Sequence, residues 1–170
     1  MAAPSLNESE LRFLRALLRR KVRFMVVGLS AAALQGAPVV TQDVDLWFED
    51  LDDPRLRDAL RQVDAAYVPP SLLNPPMFAG GGVELFDIVL MMHGLETFPK
   101  ELRNCVEVSL GRHKLKVLRL DRILASKRAA NRAKDRLVIP VLEDSLAATK
   151  VAARHEKRKA TIRRKRKRSQ

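Results

Sequence analysis

The sequence predicts an α/β fold in which helices flank a mixed β-sheet. Three observations predict it. Stretches with helical spacing of apolar residues alternate with short apolar runs over most of the chain. Residues 43–48, DVDLWF, alternate polar and apolar side chains with a period of two. Residues 104–109 and 114–119 flank Gly111 as a hairpin would. At 170 residues the chain suits one domain with a real core. With 46% hydrophobic and only 5% aromatic residues, that core is aliphatic.

The elements follow in order. Residues 7–20 read as a helix, capped by Asn7 or Ser9, with Leu11, Leu14, Leu17 and Leu18 on its apolar side. VRFMVV at 22–27 reads as a buried strand ending at Gly28, and residues 30–35 as a short helix stopped by Gly36 and Pro38. Pro54 opens a helix to about Val63. Pro69, Pro70, Pro75 and Pro76 then predict an irregular loop, closed by a flexible turn at Gly80–Gly82. Residues 83–91, VELFDIVLM, read as a strand. After the hairpin, residues 120–132 and about 135–150 read as helices, the second kinked at Pro140.

The formal charge of +12 is unevenly placed. Lys150–Gln170 hold eleven Lys and Arg against one Glu, whereas the preceding residues hold 21 basic and 19 acidic groups. A domain over residues 1–150 is thus nearly neutral, and residues 151–170 form a basic tail. The tail has too little apolar surface to offset chain entropy, so it is expected to be disordered or a frayed helix. It suits RNA phosphates as an electrostatic arm, and equally a nuclear-import signal or a solubilising terminus. No targeting segment or membrane-length apolar run is visible, which gives a cytoplasmic expectation. The lone Cys105 excludes an intramolecular disulfide framework and reads as a small buried hydrophobe.

The chemistry lies in carboxylates. Asp43 and Asp45 are two apart on a predicted strand, so they share a face while Val44 points inward. Two carboxylates so close repel one another unless a cation lies between them, and Mg²⁺ suits their hard oxygens. Read alone, the pair is also two solvated side chains. Upstream, Gly28-Leu29-Ser30 joins a strand to a helix start, where glycine permits close approach and free N–H groups favour phosphate. Read alone, Gly28 is a tight turn and Ser30 a cap. Asp87 stands in the apolar string LFDIVL, where a buried carboxylate needs a partner or a metal.

The string VVGLSAAALQGAPVVTQDVDL followed by LFDIVL resembles the nucleotidyltransferase superfamily related to DNA polymerase β, nearest to its minimal and AbiEii-like toxin-type members. The resemblance covers about residues 20–145 and implies a nucleotidyltransferase-type sheet. It implies that Gly28 and Ser30 hold nucleotide phosphates, and that Asp43, Asp45 and Asp87 hold two Mg²⁺ ions. LRLDRILASKRAANRAKDRLVIPVL resembles a later family segment and implies that Lys127, Lys134 and Asp135 lie near the site. The activity implied is transfer of a nucleotide from an NTP to a hydroxyl, on RNA such as tRNA, with an antitoxin as protein partner. Leu29 stands where many relatives have Gly or Ser. It supports the rival reading, an inactive fold that binds RNA or a protein.

Other motifs carry less. Gly80–Gly82 precedes a strand and lacks a following Gly-Lys-Ser/Thr, so it is not a phosphate-binding P-loop. His93, His113 and His155 have no ligand spacing, and Trp47 reads as packing.

Overall fold

A computed structural model describes residues 6–168. Helix α1 (Glu8–Arg19) starts on a reciprocal cap: the Asn7 side chain accepts from the Glu10 N–H, and the Glu10 carboxylate accepts from the Asn7 N–H. Strand β1 (Phe24–Val26) is wholly buried. Then come α2 (Gly28–Leu34), β2 (Val44–Phe48) and α3 (Pro54–Arg61), the last capped by Asp53. Strands β3 (Ala65–Val68), β4 (Met77–Gly80) and β5 (Phe86–Val89) precede the short α4 (Phe98–Glu101). The hairpin β6 (Cys105–Leu110) and β7 (His113–Leu118) leads to α5 (Leu120–Ala130) and α6 (Ala133–Arg168).

Five strands form one mixed sheet in the order β5-β2-β1-β7-β6. β1 pairs antiparallel with β2 and parallel with β7, and β2 pairs parallel with β5. One sheet face carries Phe24 and Phe48, stacked at 5.8 Å, under Phe13 of α1, whose ring lies 5.3 Å from Phe86 and 5.4 Å from Phe78. On the other face Trp47 packs edge-on against Phe98 at 5.7 Å, as packing rather than as a ligand platform. Cys105 is half-buried there beside Met25, and burial pushes its thiol up to about 11, which leaves it inert at neutral pH.

The structure differs from expectation in four places. The proline-rich loop conceals a two-stranded hairpin, β3-β4: all four prolines fall between the strands, where no ladder N–H is needed. Gly81 follows β4 at φ +63°, where any Cβ would meet the Val63 carbonyl oxygen at 1.9 Å. Helix α4, unforeseen, carries Glu101 into a fully buried position against Arg122 of α5. The β5 strand is shorter than its apolar run, and Leu90 and Met91 beyond it are 60% and 65% exposed. Finally, the last helix does not end near residue 150: residues expected to form a disordered or frayed tail continue it to Arg168. α6 runs unbroken through them, with Pro140 inside and no glycine to stop it. Leu142 is buried and Leu146 packs on the core, but from Ala147 to Glu156 every residue is exposed. Among the described residues no helix is long and apolar enough to cross a membrane.

Candidate active site

The parallel pairing of β2 with β5 sets Asp45 directly opposite Asp87. Asp43 lies in the bend just before β2. All three line one cavity of about 600 Å³, together with Gly28, Leu29, Lys127 and Lys134. Asp45 is the most enclosed. Burial, then the charges of Asp87 and Asp43, push its carboxyl up to about 6, while Lys127 and Lys134 pull it back. Asp87 is also raised, by partial loss of solvent on its cavity side and by the charge of Asp43, while Lys134 pulls it back. The expectation of a buried Asp87 is corrected: the residue is exposed, because its side of β5 opens into the cavity.

The turn from β1 into α2 holds Asp45 in place. The Val27 N–H donates to the Asp45 carbonyl at 2.9 Å, and the Asp45 N–H donates to Ser30 Oγ at 3.2 Å. Ser30 Oγ in turn donates to the Val27 carbonyl at 2.9 Å and is fully buried. The structure thus uses the Ser30 hydroxyl inside the fold, away from the cavity, rather than leaving it as a free donor for phosphate. Gly28, at φ +64°, lies against the carboxylate itself: a Cβ there would meet Asp45 Oδ2 at 1.9 Å. Gly28→Ala is therefore expected to displace the Asp45 carboxylate and to add backbone strain of about 1–2 kcal/mol. Metal titration by calorimetry checks this, with affinity falling about tenfold or more.

Lys127 is held at the site by a buried acid. Asp135, fully buried at the start of α6, accepts from Lys127 Nζ at 2.9 Å and from Arg132 Nε at 2.9 Å. Burial pushes Asp135 up, but hydrogen bonds from Lys127 and Arg132 outweigh it and hold it at about 2. A carboxyl lowered in the folded state stabilises it above the unfolded value near 4 and stops doing so as pH falls to about 2. Acid unfolding should show this: over that window the wild type loses about 2 kcal/mol that Asp135→Asn never had. Asn131, left-handed at φ 48°, ends α5 and turns Arg132 toward Asp135. Gln35 ties the end of α2 to the β7–α5 junction, its amide donating to the Leu118 carbonyl at 2.8 Å and accepting from the Leu120 N–H at 3.1 Å. Sequence reasoning missed Arg132 and Gln35, although the Asn131-Arg132 step between two helical runs marked a turn.

The donor chemistry suits a hard divalent cation: three carboxylates, two of them raised by loss of solvent and by neighbouring carboxylates, which a cation would reverse. Among the described residues no group of three His, Cys, Asp or Glu side chains is gathered closely enough to hold a metal ion as the side chains stand.

No family profile matches the sequence, and no curated protein matches it. Solved structures do. The fold matches ANT(2″)-Ia in complex with adenylyl-2″-tobramycin, at 16% identity and TM-score 0.54, over 84% of this chain and 90% of that one. It also matches the solution structure of the antibiotic-resistance factor ANT(2″)-Ia, at 16% identity and TM-score 0.55, over 91% and 94%. ANT(2″)-Ia is an aminoglycoside nucleotidyltransferase. This chain has the nucleotidyltransferase fold. The nucleotidyltransferase fold here covers nearly the whole described chain, and its β2-β5 pairing is what brings Asp45 and Asp87 together.

Proposed function

We propose that the chain transfers a nucleotidyl group from an NTP to a hydroxyl on RNA. The observation that carries this reading is the set of Asp43, Asp45 and Asp87, sharing a cavity with Lys127 and Lys134. Asp43, Asp45 and Asp87 would hold two Mg²⁺ ions, which when bound polarise the phosphates and ease attack by a hydroxyl. Lys127, held by Asp135, and Lys134 place positive charge where a triphosphate would lie. Gly28 leaves room for the Asp45 carboxylate, and Ser30 acts through the Asp45 backbone. Attack of the hydroxyl oxygen on the α-phosphorus forms a phosphodiester and releases pyrophosphate, and most of the rate comes from positioning and electrostatics.

The test incubates the protein with labelled NTPs, Mg²⁺ and bulk tRNA. Label should appear on RNA and vanish with Asp43→Ala plus Asp45→Ala. Transfer that survives the double change would sink the assignment. Toxin-type regulation, with an antitoxin as partner, belongs to the same reading. It requires that expression in a bacterial host arrest growth and that the double variant not do so. The rival, an inactive binding module, draws on Leu29, which lines the cavity at the family's turn. It requires that calorimetry find no Mg²⁺-dependent NTP binding up to millimolar concentration.

A further inference from the structure

Helix α6 joins the cavity to the basic tail. At its start, Lys134, Asp135 and Val138 form cavity wall. The same helix runs for 36 residues, about 54 Å. Its first half is anchored, since Leu142 is buried and Val138, Ile139 and Leu146 pack on the core. Beyond that anchor, Ala147 to Glu156 are all exposed. The eleven basic residues of Lys150–Gln170 face one acid, Glu156. A helix that is polar all round gains no burial from the protein, which leaves its surface open to a partner. Repulsion among so many like charges calls for a polyanion.

We infer that α6 is a basic spar that holds the duplex part of a structured RNA while the end of that RNA lies in the carboxylate cavity. The inference rests on the RNA-directed transfer proposed above and adds a length to it. Along α6 the basic segment begins about 22 Å from Asp135 and ends about 50 Å from it. That reach matches roughly eight to eighteen base pairs of A-form duplex. Phosphate contact along a spar reads shape rather than sequence, and the segment has no aromatic side chain for stacking on bases.

The experiment measures binding of RNA hairpins with a short single-stranded 3′ end and stems of about 5, about 12 and about 20 base pairs. Three proteins are compared: the full chain, the chain truncated after Thr149, and the full chain with four Gly-Ser residues inserted after Thr149. The full chain should bind the longest stem about tenfold more tightly than the shortest at moderate salt. Truncation should abolish that preference and most of the salt dependence. The insertion keeps the charge but uncouples its position, and should flatten the preference while retaining the salt dependence. Equal binding of all stems by the full chain overturns the inference, as does a length preference that survives the insertion. Mg²⁺-dependent NTP binding, followed on the same three proteins, reports separately on the transferase reading.

Discussion

Asp45→Asn is expected to lower nucleotidyl transfer by about a thousandfold and, in chelator, to raise the thermal midpoint. The substitution keeps the shape of the side chain and leaves both backbone contacts, to Val27 and to Ser30, in place. What it removes is a charge held in an unfavourable position. The carboxyl stands at about 6 in the folded chain, above its ordinary value of 3.8, because of burial first and Asp87 second. An acid raised in the folded state weakens folding as pH climbs from about 4 to about 6, and the full penalty is present at neutral pH. After allowance for solvent and for coupling to Asp87, that penalty is about 2 kcal/mol, or about 5 °C in midpoint for a chain of this size. Calorimetric scans at pH 4 and pH 7 check the sign: the two proteins should coincide at pH 4 and separate at pH 7. A variant that loses both activity and stability would show Asp45 to be a structural residue. One that gains stability and loses activity would show a site where folding energy is given up for function.

The largest loss of stability is expected from Arg122→Ala. Glu101 is fully buried and accepts four hydrogen bonds: from Arg122 Nε at 3.0 Å, a terminal Arg122 nitrogen at 2.5 Å, Asn104 Nδ2 at 3.0 Å and the Glu96 N–H at 3.2 Å. The guanidinium of Arg122 holds its carboxyl below the usual range. Removing Arg122 leaves a buried carboxylate with only the Asn104 and Glu96 donors, at a cost of about 3–5 kcal/mol. The double change with Glu101→Leu should recover part of that loss, because no charge then remains to be solvated. Urea midpoints of the wild type, the single variant and the double variant decide it. A double variant weaker than the single one by the full sum would refute the pairing.

The pair also ties α5, the helix that carries Lys127 into the cavity, to α4, whose Phe98 packs against Trp47 of β2. Nothing local announced this: Glu101 lies in a four-residue helix and its partner is 21 residues away.

The sequence by itself determined the elements whose cause is local. Asn7 and Glu10 form a reciprocal cap because both partners lie within one turn. The two-residue spacing of Asp43 and Asp45 at the start of β2 is what lets both line one cavity. The hairpin of β6 and β7 follows from two alternating runs around Gly111. Tertiary structure decided everything that depends on contact across the chain. Asp87 joins Asp45 only through the parallel register of β2 with β5, and register depends on a packed sheet rather than on either strand. Ser30 looks like a phosphate donor in its own segment, yet packing of α2 against β2 turns its hydroxyl to the Asp45 N–H. Lys127 reaches the cavity because a buried Asp135 on the next helix holds its ammonium. In each case a short-range rule sets which atoms are on offer. Burial sets which of them meet, since a polar group taken out of water must find a partner wherever the fold has placed one.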